Sequence, residues 1–381
     1  MTTTAKIDVA QGDLLAAIGS LLHRVLTLES IDALLVPQRL PYEHMVMPTL
    51  VTSPDHIASA DPLSPAYPLN SAKIASRLTR KSAGGRTVLV LRPCEVRAFF
   101  ELVKLHQGHV EEVVIVGIDC LGAYRNTDYL KFSRGQGKDA TRRFYEKVLN
   151  DDDTALTGVD LAAACRVCDQ PFADGADVAI GLRGVDTSNH LLVTSQTDKG
   201  DALLAELGLD AADIPAQRQE AINALLAQRH QAREQMFGET RAATDNLEKL
   251  AGHLAACVNC YNCRVACPVC YCRECVFVTD VFDHEPAQYL QWAARKGRIK
   301  MPTDTVFYHL TRLAHMSTAC VGCGQCSNAC PNEIPLAELF ITVAHQTQKA
   351  FDYLAGRSLE ERPPLSEFRE NEFKEIVGIN A

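Results

Sequence analysis

Long apolar runs are missing from this 381-residue sequence, and their absence bears on where the protein works. No stretch approaches the roughly 20 consecutive apolar residues that a membrane-spanning helix needs, so we expect no membrane span. The residues from Met1 to Ile7 contain neither an apolar segment nor a cleavage site of the kind that marks a signal peptide. We therefore expect a soluble protein of the cytoplasm.

An excess of positive charge is also absent. The sequence contains 38 Lys and Arg residues against 47 Asp and Glu residues, which gives a net charge of −9. Proteins that bind nucleic acid usually carry a basic surface, so we do not expect nucleic acid as a partner. The G-x-G-x-x-G fingerprint is missing too, which leaves a Rossmann-type NAD site without support.

Cysteine, by contrast, is abundant, with 15 residues in the chain. A chain of this length buries enough apolar surface to fold without disulfides, and nothing in the sequence marks it for export. In a reducing compartment, clustered cysteines are more often metal ligands than disulfide partners.

One cysteine spacing, C-x2-C-x2-C-x3-C followed by proline, occurs twice in the last third of the chain. It is the run of bacterial two-cluster ferredoxins, in which the fourth cysteine binds the other cluster. One 4Fe-4S cluster is therefore assigned to Cys257, Cys260, Cys263 and Cys330. The other is assigned to Cys267, Cys320, Cys323 and Cys326. Zinc, in a zinc-stabilised interaction protein, is the alternative, although zinc sites usually pair two C-x2-C units across a long gap.

Three more cysteines, Cys270, Cys272 and Cys275, follow the first run closely. They are one thiolate short of the four that a cubane needs. We expect them to be spare thiols near the clusters.

The first half of the chain shows the pattern of an α/β sheet. Thr87–Leu91 and Glu112–Ile118 read as buried strands around a helix at Glu95–Leu105, a unit whose strands should be parallel. Further strands are predicted over Val178–Ile180 and His190–Ser195.

Helical periodicity marks two other segments. Apolar residues at helical spacing predict one long amphipathic helix within Ile7–Leu34, with a single break. Asp201–Ala255 reads as helical with a break at Pro215. We expect an α/β domain over residues 1–199, a helical connector over 200–256, an α+β ferredoxin-like domain over 257–345 and a tail over 346–381.

A third cluster is predicted in the α/β domain. Cys94 and Cys120 follow the two predicted parallel strands, so both should emerge at the carboxyl edge of the sheet, where such sheets bind ligands. Cys165 and Cys168 form a C-x2-C pair on a later loop. Together these four cysteines supply the ligands of one more cubane.

On these motifs the chain resembles the β subunits of coenzyme F420 hydrogenases and dehydrogenases, and most closely those of F420-type formate dehydrogenases. The resemblance spans roughly residues 65–345. The stretches that carry it are RPCEVRA (92–98), GIDCLG (117–122), CRVCDQPFADGADVAIGLRG (165–184), CVNCYNCRVACPVCYCREC (257–275) and CVGCGQCSNACPNEIPL (320–336).

The resemblance implies FAD beside the third cluster, in the α/β domain. The residues expected near FAD are Ser71, Lys73, Arg92, Glu95 and Gly122. It also implies a catalytic dehydrogenase or hydrogenase subunit as partner, so that no residue of this chain is assigned to formate or hydrogen chemistry. The alternative is a relay subunit with clusters only, in a complex with heterodisulfide-reductase-like subunits.

Overall fold

A computed structural model gives the architecture of the chain and describes residues 3–41, 45–150 and 158–366. Within this part, the strands form one sheet in the order β1-β7-β6-β5-β4-β2-β3. The strands are β1 (Thr4–Asp8), β2 (Ala33–Arg39), β3 (Val46–Val51), β4 (Thr87–Leu91), β5 (Val113–Ile118), β6 (Val178–Gly181) and β7 (His190–Ser195).

Helices cover both faces of the sheet and make up the rest of the regular structure. The first seven are α1 (Leu14–Leu26), α2 (Ala72–Leu78), α3 (Pro93–Lys104), α4 (Asn126–Gln136), α5 (Ala140–Asn150), α6 (Ala163–Arg166) and α7 (Asp198–Leu207). The others are α8 (Gln217–Thr244), α9 (Leu247–His253), α10 (Asn262–Ala266), α11 (Pro286–Lys296), α12 (Thr305–Met316), α13 (Gln325–Asn328) and α14 (Leu336–Ala350). No helix of the described ranges has both the length and the apolar character needed to cross a membrane.

The predicted strand–helix–strand unit is confirmed. Strands β4 and β5 pair in parallel with Leu91 opposite Gly117, and α3 connects them. Strands β2 and β6 extend the parallel core on either side, whereas β1, β3 and β7 pair antiparallel at the edges. The carboxyl ends of four parallel strands therefore meet at one edge of the sheet.

The long helix predicted within Ile7–Leu34 is wrong at both ends. The helix covers only Leu14–Leu26; Ile7 lies in β1 and Leu34 lies in β2. Strand β1 pairs with β7, nearly 190 residues later in the chain, and such a partner cannot be read from local periodicity.

The two faces of the sheet bury different cores. Along β4, Val88 and Val90 point into a core that includes α1 and α5, whereas Leu89 and Leu91 point to the other side. That second core also contains Leu313 and Phe340 of the C-terminal region. Successive side chains of β4 point to opposite faces of the sheet. On the second face, α3 and the cysteine-rich region pack into one core with the sheet.

Residues 257–345, all of which the structure describes, contain helices and 3-10 turns but no strand. The β part of the expected α+β fold is therefore not observed, because the insertion between the two cysteine runs is helical. Two of the expected domain limits also fall inside helices, at α7 and α14. Residues 367–381 of the predicted tail lie outside the described residues.

The chain after α14 returns to α3 and is held there by a buried polar network. One carboxylate oxygen of Glu101 accepts from the Gly356 N–H at 2.6 Å, from the Tyr353 hydroxyl and from the Lys104 ammonium at 2.6 Å. The side chains of Lys104 and Glu101 are 4% and 0% exposed. A Cβ at Gly356, where φ is +73°, would lie 2.2 Å from the Arg97 carbonyl oxygen, so only glycine allows this close approach.

Candidate functional site

A pocket lies at the carboxyl edge of the sheet, between the ends of β2, β4 and β5. Three of the five residues predicted near FAD line it: Arg92, Glu95 and Gly122. Arg92 precedes α3 and donates to the carbonyls of Ser64 at 2.6 Å and Ala66 at 2.7 Å. Its guanidinium also lies over the Tyr67 ring, 4.8 Å from the centroid. Arg92 thus fixes the loop that closes this pocket.

Glu95 and Ser71 form part of the pocket's frame. The two carboxylate oxygens of Glu95 accept from the N–H groups of Arg92 at 2.9 Å and Ser71 at 2.7 Å. This capping arrangement joins the start of α3 to the loop before α2. Ser71 is buried there and lies outside the pocket lining.

Lys73 lies elsewhere. Its ammonium donates to the Val265 carbonyl at 2.9 Å, in the cysteine-rich region. Burial lowers the pKa of Lys73, and the nearby Cys267 and Cys270 thiols oppose that shift. The structure therefore places Lys73 with the C-terminal cysteines and apart from the pocket at the sheet edge.

Four cysteines of the sheet domain converge on a cavity next to this pocket. The proximal group consists of Cys94, Cys120, Cys165 and Cys168, which line one cavity together. Cys94 lies in the first turn of α3 and Cys120 directly after β5, as the parallel strands predict. The pocket and this cavity share Arg92, Cys120 and Gly122 in their linings.

The chemistry of the proximal group suits a metal cluster. Burial raises the pKa of Cys94 well above its usual range and the pKa of Cys165 to about 12. Buried thiols of this kind remain protonated unless a metal replaces the protons. Four thiols that line one cavity are therefore a fitting donor set for a cubane.

The second cysteine run forms another cavity with the last cysteine of the first run. This medial group consists of Cys267, Cys320, Cys323 and Cys326, the set assigned above to one cluster. The loop turns at Gly322 and Gly324, where φ is +71° and +75°. At Gly324 a Cβ would also lie 2.6 Å from the Ala164 side chain, so the loop fits against α6 only with glycine there.

Cys323 lines both the proximal cavity and the medial cavity. The loop that carries Cys323 is held on the sheet domain by Gln325 and Asn328, whose side-chain amides each donate to the Tyr67 carbonyl at 2.9 Å. The Tyr67 hydroxyl in turn lies 3.2 Å from the Cys94 sulfur. The two groups are thus adjacent, with Tyr67 contacting both sides.

The remaining predicted ligands, three from the first run and Cys330 from the second, form a distal group. Cys257, Cys263 and Cys330 share a small core, whereas Cys260 is exposed. The loop between them contains two residues with positive φ, Asn259 at 49° and Tyr261 at 60°. The Asn259 N–H donates to the Cys257 sulfur at 3.4 Å, as a loop wrapped around a cluster requires.

Helix α12 contributes three residues that sequence reasoning missed. The Tyr308 hydroxyl lies 3.4 Å from the Cys263 sulfur, His309 Nε2 lies 3.4 Å from the Cys257 sulfur, and Arg312 donates to the Cys263 sulfur at 3.1 Å. Burial lowers the pKa of His309 to about 3, so this histidine is neutral. The spacing i, i+1, i+4 puts the three on one helix face, and that was the only signal in the sequence.

The spare cysteines divide between the two C-terminal groups. Cys270 packs with the medial group and Cys275 with the distal group, while Cys272 is exposed. In the described part of the chain, no three His, Cys, Asp or Glu side chains lie close enough to bind one metal ion. A cubane binds each thiolate to a different iron atom, so its ligands stand further apart than those of a single ion.

Comparison with known proteins identifies the C-terminal region. Residues 253–334 match the family model of the 4Fe-4S dicluster domain. The C-terminal part of the chain is therefore a 4Fe-4S dicluster domain, and the zinc alternative is set aside for these residues.

Two relatives align over almost the entire chain. The F420-dependent formate dehydrogenase subunit beta of Methanocaldococcus jannaschii is 24% identical over 376 residues, which cover 92% of this chain and 93% of that protein. The F420-dependent formate dehydrogenase 1 subunit beta of Methanococcus maripaludis is 26% identical over 384 residues, covering 93% and 94%.

A solved structure of the F420-reducing [NiFe] hydrogenase complex from Methanosarcina barkeri contains a chain that aligns with a TM-score of 0.46 and 13% identity. The alignment covers 65% of this chain and 94% of that chain, a likeness too low to support an argument. The two sequence relatives and the dicluster match confirm the resemblance seen in the motifs. The chain is an oxidoreductase subunit related over nearly its whole length to the β subunits of F420-dependent formate dehydrogenases.

Proposed function

We propose that this chain is an iron–sulfur flavoprotein subunit that relays electrons between a catalytic formate dehydrogenase or hydrogenase subunit and a soluble or complex-bound acceptor. Three 4Fe-4S clusters would be held by the proximal, medial and distal groups. FAD would lie at the carboxyl edge of the sheet, and the pocket there, with a volume of about 20 Å³, would have to widen to admit it. The names of the relatives make coenzyme F420 the first acceptor to test.

One observation carries this proposal: the candidate sites form an unbroken series. The flavin pocket and the proximal cavity share Arg92, Cys120 and Gly122, and Cys323 lines both the proximal and the medial cavities. Arg312 then lines the medial cavity and donates to Cys263 of the distal group. Such a series suits one-electron transfer from the pocket to the surface beside the exposed Cys260.

A bound flavin supplies the exchange between two-electron hydride chemistry and one-electron cluster chemistry. Residues of this chain position the pocket loop and the cysteine-bearing loops. Arg92 orders the loop at Ser64 and Ala66, and Glu95 joins that loop region to the start of α3. The Tyr67 hydroxyl forms a hydrogen bond with the Cys94 sulfur. The Tyr67 carbonyl accepts hydrogen bonds from the side-chain amides of Gln325 and Asn328, on the loop that carries Cys323.

We also propose that residues 1–199 form the flavin and proximal-cluster unit, with residues 200–256 as a helical connector to the dicluster domain. Helix α8 supports this role, because Arg229 donates to the Cys168 carbonyl at 3.3 Å while Phe237 packs on His345 of α14. The cytoplasm is the proposed compartment, since a reducing environment suits 15 free cysteines.

The full chain, purified anaerobically with its copurifying subunits, tests the proposal through its iron, sulfide and flavin content. We expect FAD to survive desalting and iron to match three clusters. Cys165→Ser should lose the iron of one cluster, because it removes a proximal ligand, whereas the exposed Cys272→Ser should keep the full content.

Each other outcome is informative. A preparation with iron but without flavin would favour the cluster-only relay in a heterodisulfide-reductase-like complex. Equal iron loss in Cys165→Ser and Cys272→Ser would contradict the proximal ligand set. Folded protein without iron and sulfide would end the proposal.

A further inference from the structure

Arg312 is the one buried cation that contacts both C-terminal cysteine groups, as far as the described residues show. On the distal side, its guanidinium donates to the Cys263 sulfur at 3.1 Å and to the Cys263 carbonyl at 3.2 Å. On the medial side, it lines the cavity formed by Cys267, Cys320, Cys323 and Cys326. Its residue exposure is only 5%.

Packing fixes Arg312 in this position. The guanidinium carbon lies 4.6 Å from the ring centroid of Phe340 and 5.6 Å from that of Tyr308. These rings belong to α14 and α12, so the guanidinium is held between two helices. A planar cation stacked in this way has little freedom to withdraw from the sulfur.

No carboxylate balances this charge within the described residues. Burial disfavours the charged guanidinium, and the neighbours that most raise the pKa of Arg312 are Cys263, Tyr308, Cys267 and Cys326. Its Nε has no hydrogen-bond partner among the described residues. A buried cation without a counter-charge is strongly unfavourable. Cluster-bound thiolates on both sides would supply the missing negative charge.

We infer that Arg312 sets the reduction potentials of the medial and distal clusters together, raising both. The inference rests on the proposed function, since it presupposes the two clusters. Reduction adds one electron to a cluster and makes it more negative, so a fixed positive charge and a hydrogen bond to a cluster sulfur favour the reduced form. Arg312 is a positioning residue here, because no proton or bond changes at the guanidinium.

The proximal cluster serves as an internal control. Arg312 lines the medial cavity but not the proximal cavity formed by Cys94, Cys120, Cys165 and Cys168. The potential of the proximal cluster should therefore stay constant when Arg312 changes. Arg298 provides a matched control, because it is an exposed arginine in the same insertion, where solvent screens its charge.

The test is an anaerobic redox titration of the full complex, monitored by electron paramagnetic resonance, on wild type, Arg312→Gln, Arg312→Lys and Arg298→Gln. In Arg312→Gln, the ratio of reduced to oxidised medial and distal clusters at a fixed potential should fall at least tenfold, equivalent to about 59 mV for one electron. Arg312→Lys keeps the charge but not the planar guanidinium, so its ratio of reduced to oxidised clusters should lie between those of wild type and Arg312→Gln. Arg298→Gln should match wild type.

Two results would overturn the inference and leave the proposed function intact. One is Arg312→Gln with full iron content and unchanged potentials. The other is Arg312→Gln without clusters together with Arg312→Lys that is loaded and has wild-type potentials. A wild-type complex without iron would instead overturn the proposed function, so the two failures are distinguishable.

Discussion

Cys323→Ala is expected to slow electron transfer between the flavin and the distal cluster by more than about 100-fold, beyond the effect typical of changing a residue that only supports a ligand. Cys323 lies in the linings of both the proximal and the medial cavities. Removing it takes away one of the four ligands proposed for the medial cluster and opens a gap in the middle of the proposed series. The flavin should still accept hydride, because the pocket at the sheet edge is untouched.

Stopped-flow measurement separates the two steps. Flavin bleaching by a hydride donor reports on the pocket, and the later bleaching of the clusters reports on transfer past Cys323. Cys270→Ala is the matched control, since Cys270 packs beside the medial group but lies outside its proposed ligand set. Wild-type transfer in Cys323→Ala, or an equal loss in Cys270→Ala, would contradict the assignment of ligands.

Glu101→Gln is expected to lower the free energy of unfolding by about 3–5 kcal/mol, because it leaves the Lys104 ammonium buried without an anion. The Lys104 side chain is only 4% exposed, and Glu101 also receives Gly356 and Tyr353 from the segment after α14. Anaerobic urea unfolding of the loaded protein, followed by circular dichroism and by cluster absorption, measures the loss.

The exposed pair of Lys249 and Asp245 is the control for this prediction. Its side chains are 48% and 51% exposed, so Asp245→Asn should cost less than about 1 kcal/mol. The double variant Glu101→Gln, Lys104→Met should recover part of the loss, because both buried charges are then gone. Similar losses in Glu101→Gln and Asp245→Asn would contradict a role for the buried network.

The sequence predicted those parts of the site that depend on local spacing. Two parallel strands, each followed by a cysteine, were sufficient to predict that Cys94 and Cys120 meet at one edge, and the structure places them in one cavity. The ferredoxin spacing likewise predicted which run supplies the fourth member of the medial group, Cys267. The first case depends on a regular strand–helix–strand unit, and the second on a recurring motif in which two cysteine runs exchange one ligand.

Features that depend on distant contacts were not predictable. Lys73 is close in sequence to Ser71, which frames the pocket at the sheet edge, yet its four-carbon side chain reaches Val265 in the dicluster domain. Arg312 lies in an insertion without a motif, and its role follows only from where α12 packs. The predicted helix began at Ile7, inside β1, because the partner strand β7 completes the sheet from the far end of the domain.

Helix α3 contacts the proximal and the medial groups of the proposed series, which has a consequence for kinetics. Its first turn carries Cys94, its second turn carries Arg97, which donates to the Val321 carbonyl beside Cys320, and its third carries Glu101. A regular helix, with a rise of about 1.5 Å per residue, therefore connects the proximal cysteines to the loop of the medial cysteines. Tunnelling across that gap should not depend on solvent viscosity, because no domain has to swing into place before the electron moves.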